Sequence, residues 1–355
     1  MEKGEKVLIG MSGGIDSSVA ALILQQQGYN VIGITLEMFN EDKNNLKCSN
    51  TAIEDAKRVC KFLKIPHYIY NVKDEFNKYV IQNFCKCYIN CKTPNPCIEC
   101  NKYLKFGLMY KKAQELGCNY IATGHYAKIK YDDEFKKTIL KKSNNLEKDQ
   151  TYFLWSISKE IMEHILFPLG DYNSKEYVRK LAIKYNLPVT DKKDSQYICF
   201  ITNGNYKEFL ENRIDIKNEE GNIVNKNGEI LGKHKGLYYY TIGQRRGLGI
   251  SSKDPLFVIG FNKEKNEVIL GNEEELYKKE LLIEDVNLLL FDEIKKPLKV
   301  MTKIRYAAKE SLSTIYNTPD GKLKVVFEKP QKAITPGQSA VFYLNDIVVG
   351  GGKII

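Results

Sequence analysis

The chain has 355 residues, 43% hydrophobic and 28% charged, which fits two or three globular domains and excludes a mainly disordered chain. No apolar run approaches the roughly 18–20 residues of a membrane span, no basic-then-apolar secretory leader is expected, and nine cysteines, an odd number, exclude a disulfide scaffold and point to a reducing cytoplasm with metal-binding or catalytic thiols. The net charge of +10 is concentrated in residues 85–112, 233–246 and 295–309, each with tyrosines nearby, a pattern that favours a polyanion partner over a merely solvated face.

In chain order, Val7–Met11 reads as a buried strand running through a Gly/Ser loop into a helix over Asp16–Gln27, which stops at Gly28. Further strands are predicted at Val31–Leu36, His67–Val72 and Tyr120–Thr123. Helices are predicted at Thr51–Leu63, opened by the capping-box pair Thr51 and Glu54, and at Asn101–Leu116, ended by Gly117. Lys159–Ile165 and Ser174–Tyr185 read as two more helices. This alternation predicts an α/β fold with a doubly wound parallel sheet. Beyond about residue 205, Gly and Asn punctuate short apolar or aromatic runs, with period-two stretches at Leu281–Leu290, Lys299–Tyr306, Lys322–Glu328 and Ala340–Val349. They predict a small β-rich central domain and a C-terminal β-barrel. The expected domains are 1–204, 205–280 and 281–355. The polar stretches Asn40–Asn50 and Asp132–Lys148 read as floppy loops.

The strongest signal is the loop Gly10-Met11-Ser12-Gly13-Gly14-Ile15-Asp16-Ser17-Ser18. Glycines there let backbone N–H groups approach an anion, and the helix N-terminus adds its own unpaired N–H groups. Ser12, Ser17 and Ser18 offer hydroxyls, and Asp16 could hold magnesium directly or through water. The Walker lysine and the dinucleotide GxGxxG pattern are both missing. The loop resembles the SGGxDS pyrophosphate loop of the N-type ATP pyrophosphatases, which implies release of pyrophosphate and adenylation of a substrate oxygen. Uracil C2 is a fitting test case: adenylating its oxygen makes a leaving group that a sulfur nucleophile can replace.

Two cysteines have suggestive flanks. Cys100 stands at the predicted start of a helix among lysines, both of which lower a thiol pKa. Cys199 follows Lys192 and Lys193 and is otherwise among apolar residues. Either, taken alone, also reads as a small buried hydrophobe.

The runs GMSGGIDSSVAA, TPNPCIECNKYLKFG, ATGHYA, KDQTYFL, DSQYICFI, GKHKGLYYYTIGQRRGLGI and IVVGGGKII together resemble, in order from about Val7 to Ile355, the tRNA-specific 2-thiouridylase family. The resemblance implies a cytoplasmic tRNA-uridine 2-sulfurtransferase acting on the wobble uridine of tRNAs for Lys, Glu and Gln. It implies ATP on Gly10, Met11, Ser12, Gly13, Gly14, Ile15, Asp16 and Ser17, with Leu36 and Gly124 near the nucleotide. Cys199 would take persulfide sulfur from a carrier protein or a cysteine desulfurase and attack the adenylated C2. Cys100 would then attack the persulfide, leaving 2-thiouridine, AMP and a transient Cys100–Cys199 disulfide. Asn95, Pro96 and Cys97 match the segment facing the target base; His125, Lys148, Asp149, Gln150, Arg305, Tyr306 and Gln338 match tRNA-touching positions. The residues themselves are compatible with this. Gly124-His125 follows a strand end, Lys148-Asp149-Gln150 offers donors and an acceptor on a loop, and Arg305-Tyr306 couples a phosphate binder with a stacking ring. His125 alone reads as an ordinary core or surface histidine, and Gln338 carries no signal apart from the resemblance. Nothing in the sequence demands an oligomer, and a monomer is expected.

The chain departs from the family at Cys97, where the family often has Asp, which puts any proton-transfer or magnesium role of that carboxylate in doubt. Cys97-x-x-Cys100 has metal-type spacing, and Cys85, Cys87 and Cys91 crowd nearby, as packing or as ligands of a structural zinc. Cys97, Cys100 and Cys199 together admit three readings, all open: an iron–sulfur cluster with a free iron, a spare resolving thiol at Cys97, or a passive wall of the base pocket. Competing functions are another pyrophosphate-loop tRNA-modifying enzyme, such as a 4-thiouridine synthase, and a non-catalytic RNA-binding relative. The intact loop and both cysteine motifs argue against the second.

Overall fold

The computed structural model describes residues 4–39, 49–190, 192, 198–201, 204–214 and 219–355. Two compact units emerge: Met1–Val80 with Cys97–Thr202 and Asn345–Val349, and Ile81–Pro96 with Asn203–Leu344 and Gly350–Ile355. The segment Ile81–Pro96 therefore groups with the second unit rather than with the residues that flank it.

The first unit is built on a strand too apolar to sit anywhere but the middle of a sheet. In β1 (Lys6–Gly10), Val7, Leu8 and Ile9 are fully buried. It pairs in parallel with β2 (Asn30–Glu37) on one side and β4 (Tyr120–Ala122) on the other. β3 (His67–Asn71) extends β2, and β7 (Ile165–Leu166) extends β4, both in parallel, giving the order β3-β2-β1-β4-β7. The doubly wound parallel sheet is thus as expected, and β1 and β4 flank its topological switch point, where such sheets bind ligands beyond their carboxyl ends. Helix α1 (Ile15–Gln26) is buried from Ile15 to Leu24 save Asp16, and shares a core with Val178 and Ala182 of α7 (Lys175–Lys184). Ser174 caps α7 by accepting a hydrogen bond from the Tyr177 N–H at 3.1 Å.

Several local expectations shift. Helix α2 (Ser49–Leu63) begins ahead of Thr51, so Thr51 is not its cap, and Glu54 pairs instead with Lys57. Residues 40–48 of the first expected loop lie outside the described residues. The second expected loop, 132–148, is mostly a hairpin: β5 (Ala127–Asp132) and β6 (Lys137–Lys142) pair in antiparallel register, and Asp132 folds its carboxylate onto the Glu134 and Phe135 N–H groups to make the turn. Polar composition hid the short apolar pair Ile139 and Leu140, both buried in β6. Lys159–His164 is a 3-10 helix that runs straight into β7. The helix expected from Asn101 begins earlier, at Pro96, where a missing N–H costs nothing. It runs through α5 (Pro96–Glu99), a nine-residue π-helical stretch at Cys100–Leu108, and α6 (Met109–Glu115).

The second unit holds two β structures. One is a four-stranded sheet of β8 (Gly221–Asn225), β9 (Ile230–His234), β10 (Phe257–Asn262) and β11 (Glu267–Gly271), in the order β10-β11-β8-β9, over a core of Ile223, Leu248, Val258, Val268 and Leu270. The other is a closed six-stranded barrel. Its strands are β12 (Tyr277–Leu288), β13 (Leu298–Lys303), β14 (Ser311–Asn317), β15 (Leu323–Lys332), β16 (Ser339–Leu344) and β17 (Ile347–Ile354), and β12 pairs with both β15 and β17 to close the ring. Leu323, Val325 and Phe327 of β15 alternate inward, as a barrel requires. The expected single strand Ala340–Val349 is two, folded back at Asn345 with φ +52°. Within this unit the segment before Asn95 is pinned to the barrel: Thr93 N–H donates to Pro336 O at 2.8 Å, and Gln338 Nε2 donates to Thr93 O at 3.0 Å and Pro94 O at 3.3 Å.

Candidate active site

The phosphate loop leaves β1 with its backbone already fixed. Met11 N–H donates to Ile34 O at 2.7 Å, and Thr35 Oγ1 donates to Met11 O at 2.8 Å, so both ends of Met11 are tied to β2. Gly13 has φ +70°, and a Cβ there would meet Ala52 O at 2.3 Å, so only glycine fits. Gly14 is the N-cap of α1 and supplies no side-chain cap, which leaves the first N–H groups of the helix for an anion. The Ser12 N–H donates to Ser17 Oγ at 3.3 Å, and the Ser12 and Ser17 hydroxyls lie 3.2 Å apart. The Ser18 hydroxyl is buried and turned inward onto Gly14 O at 2.7 Å, so it does not face a ligand. Gly124, just past β4, packs so closely that a Cβ would lie 2.8 Å from Asp16 C and Ser17 N. Leu36 is half-buried at the carboxyl end of β2.

Asp16 holds two partners that no local pattern announced. Tyr126 Oη donates to its Oδ1 at 3.0 Å across 110 residues, and Lys175 Nζ lies 3.1 Å from Oδ2 across 159 residues. Lys175 is the first residue of α7 and its side chain is only 16% exposed, so the ammonium is held at the loop. Both carboxylate oxygens are thereby engaged. Each oxygen keeps a further lone pair, so these two partners do not by themselves bar a magnesium ion from Asp16.

The three candidate thiols Cys97, Cys100 and Cys199 belong to the same unit as the loop and feel one another's charge. Cys100 is buried; Cys97 and Cys199 reach solvent but are walled by protein on most sides, as in a recess. Burial pushes the Cys100 thiol up to about 11 and the Cys199 thiol up to about 12, and raises Cys97 as well. The expected lowering at Cys100 is overturned for a physical reason. The helix starts at Pro96, so Cys100 is beyond the first turn, and desolvation outweighs the one cation that acts on it, Lys105. Lys105 stands five residues on, one π-helical turn from Cys100, and pulls all three thiols downward. Lys192, upstream of Cys199, is committed to an ion pair with the buried Asp55, which Arg58 also engages. Residues 193–197 of the Cys199 motif lie outside the described residues. Among the described residues no group of three or more His, Cys, Asp and Glu side chains is placed to hold a metal. The thiols do not fit a cluster as they stand.

The positions matched to tRNA contacts divide. Lys148 is exposed. Asp149 is buried and accepts from the Ser143 N–H at 3.0 Å and from Thr151 Oγ1 at 2.5 Å. Gln150 accepts from the Tyr126 N–H through Oε1 at 2.9 Å and donates its own N–H to Tyr126 O at 2.9 Å. Asp149 and Gln150 thus brace the loop beside Tyr126. His125 pairs Nδ1 with Thr123 Oγ1 at 2.7 Å, with Phe106 and Phe167 against its ring; burial, aided by Lys105, holds its pKa well below 6.5, so it is neutral near pH 7. In the second unit, Arg305 donates to Ala333 O and to Thr335 Oγ1, the latter at 2.6 Å, and Tyr306 is 38% exposed with Lys303 Nζ 5.3 Å from its ring centre. Gln338 holds the carbonyls just before Asn95 and Pro96. Cys85, Cys87 and Cys91 are partly buried, and Cys87 Sγ donates to Asn83 Oδ1 at 3.4 Å.

Comparison with known proteins completes the picture. Family models match the chain end to end: a tRNA methyl transferase HUP domain over 5–203, a tRNA methyl transferase PRC-barrel domain over 207–272, and an aminomethyltransferase beta-barrel domain over 278–354. The chain is 49% identical over 358 residues to the tRNA-specific 2-thiouridylase MnmA of Clostridioides difficile, covering 100% of this chain and 99% of that protein. It is 49% identical to the tRNA-specific 2-thiouridylase MnmA of Acetivibrio thermocellus and 47% identical to that of Clostridium acetobutylicum, each over 99% of both chains. With the phosphate loop intact and similarity at this level from end to end, the chain belongs to the tRNA-specific 2-thiouridylase family.

Proposed function

We propose that the protein is a tRNA-uridine 2-sulfurtransferase, which adenylates the C2 oxygen of the wobble uridine of tRNAs for Lys, Glu and Gln and replaces it with sulfur. The observation that carries the reading is the presence, in one unit, of a fixed phosphate loop and of Cys100 and Cys199 within electrostatic reach of each other. Methyl transfer, which the family models' names suggest, requires neither.

In this reading ATP phosphates lie on the N–H groups of Gly10–Ser17 and the N-terminus of α1, with Leu36 and Gly124 beside the nucleotide. Lys175, positioned by Asp16, supplies the cation that a Walker loop carries within itself. The uridine O2 attacks the α-phosphorus and pyrophosphate leaves. The terminal sulfur of a Cys199 persulfide attacks C2, and AMP departs with the oxygen. The Cys100 thiolate attacks Cys199 Sγ; that sulfur–sulfur bond forms, the bond to the transferred sulfur breaks, and 2-thiouridine leaves with the electron pair. A thiol reductant then returns two electrons to the Cys100–Cys199 disulfide. No step runs through magnesium or a cluster. Asn95, Pro96 and Cys97 would wall the base, with Cys97 passive. His125, Lys148, Arg305 and Tyr306 would meet the tRNA, while Asp149, Gln150 and Gln338 would act by holding loops. No helix among the described residues is long and apolar enough to cross a membrane. A cytoplasmic monomer of three domains, 1–204, 205–280 and 281–355, fed by a persulfide carrier protein or a cysteine desulfurase, is the form we propose.

The test is nucleoside mass spectrometry of tRNA incubated with the protein, ATP and a persulfide donor. ATP-dependent 2-thiouridine at the wobble position is expected. 4-Thiouridine at another position, or a methylated base, would replace this reading with another.

A further inference from the structure

Cys199 reaches solvent, but the two residues that follow it do not. Ile201 N–H donates to Ile198 O at 2.9 Å, closing a turn with Cys199 and Phe200 at its two central positions. Phe200 is 8% exposed and Ile201 3%, so the turn is anchored by its apolar residues and presents the thiol beside them. What Phe200 packs against therefore decides where Cys199 stands.

The Phe200 ring meets Phe76 edge to face, with centroids 5.7 Å apart at 77°. Phe76, 1% exposed, ends the short helix α3 (Lys73–Phe76) that follows β3. It also packs against Phe39, just past the end of β2, with centroids 5.8 Å apart at 46°. Helix α3 is itself tied to the carboxyl end of β2. Val72 N–H donates to Glu37 O at 3.0 Å, Lys73 Nζ lies 2.7 Å from Glu37 Oε1, and Phe76 N–H donates to Val72 O at 2.8 Å. A continuous run of contacts within the first unit thus leads from Glu37, next to Leu36, to the residue beside Cys199.

We propose that Phe39, Phe76 and Phe200 form an aromatic bridge that registers the sulfur-carrying thiol to the nucleotide end of β2, with Phe76 as a positioning residue for sulfur transfer. The inference rests on the proposed function, which puts the nucleotide beside Leu36 and the persulfide on Cys199. In that reaction the outer sulfur must meet C2 of a base adenylated at the phosphate loop. The two sites come from segments far apart in sequence, so packing has to set the distance between them. A misplacement of about 1 Å can cost on the order of 10²-fold in rate. Edge-to-face rings fix a spacing and an angle together, and a close-packed interior transmits that spacing. Leucine in place of either ring fills apolar volume but has no ring edge to offer.

The test measures a single turnover of the persulfide-loaded full chain with tRNA and ATP, beside ATP–pyrophosphate exchange, for the wild type, Phe76→Leu, Phe200→Leu and the double variant. Each single variant should slow 2-thiouridine formation by about 10- to 100-fold while exchange stays within about twofold of the wild type. Because the two rings act as one unit, the double variant should be no slower than the slower single one. Phe200 lies in a turn outside every helix and strand, so Phe200→Leu carries the comparison if Phe76→Leu does not fold. A wild-type transfer rate in either variant would overturn the bridge. So would exchange falling in parallel with transfer, the mark of a general loss of structure. Effects that multiply in the double variant would overturn it too, by making the two rings independent. A wild type that forms no 2-thiouridine would instead sink the functional reading.

Discussion

The phosphate loop and the thiol recess belong to one unit but are prepared very differently. In the loop, backbone hydrogen bonds, a helix N-terminus and the Asp16–Lys175 pair are set before any ligand arrives. In the recess, burial raises all three thiols, and Lys105 is the one cation that opposes it. A thiol near pKa 11 is a thiolate about once in 10,000 molecules at pH 7. In the proposed mechanism the difference means that the adenylating half is preorganised, while the sulfur half waits for the persulfide and the adenylated base to change its electrostatics.

The comparison breaks most visibly at Cys199. In the proposed relay Cys199 carries the sulfur, so Cys199→Ser should lower 2-thiouridine formation by about a thousandfold or more. ATP–pyrophosphate exchange in the presence of tRNA should survive. Loss of exchange as well would mean the two halves cannot be separated. The mirror variant is Lys175→Ala, expected to cut exchange by roughly 10²–10³ through loss of a charge at the phosphates. Persulfide loading of Cys199 should stay intact, and Lys175→Arg should recover part of the exchange. Undiminished exchange would reduce the Asp16–Lys175 pair to a structural contact.

How much of this was readable in the sequence follows the same division. The loop was legible because its chemistry is local: one stretch of chain supplies glycines, N–H groups and hydroxyls to one anion. Lys175 and Tyr126 were not, since they reach Asp16 across 159 and 110 residues: Lys175 lies in no motif, and the ATGHYA run that holds Tyr126 does not announce its partner. The state of Cys100 was misread because a helix start four residues earlier and a buried setting outweigh neighbouring lysines, and burial is a tertiary fact. The parallel sheet and the β-rich second half followed from periodicity. The hairpin at 127–142 was lost to its polar composition.

Smaller effects sharpen the contrast. In the ligand-free protein, alkylation of Cys100 should rise about tenfold per pH unit from 7 to 10 as thiolate accumulates. A plateau setting in soon above pH 8.5 would show a thiol that burial leaves unperturbed. The same shift has a stability sign. A thiol raised to about 11 favours the protonated fold, so its contribution is full below the unfolded pKa of about 8.5 and is lost as pH rises towards 11. Gln338→Ala should lower stability by about 1 kcal/mol through its two bonds to the Thr93 and Pro94 carbonyls, read as a fall in melting temperature. An unchanged melting temperature with weakened tRNA binding would make Gln338 a direct tRNA contact instead.

The most direct test is a single turnover of persulfide-loaded protein with one equivalent each of tRNA and ATP, quenched and counted for four products. Preorganised adenylation followed by sulfur relay predicts equal amounts of pyrophosphate, AMP, wobble 2-thiouridine and Cys100–Cys199 disulfide, with pyrophosphate appearing first. 2-Thiouridine formed without ATP, or formed in full with Cys100 and Cys199 still unlinked, would contradict it.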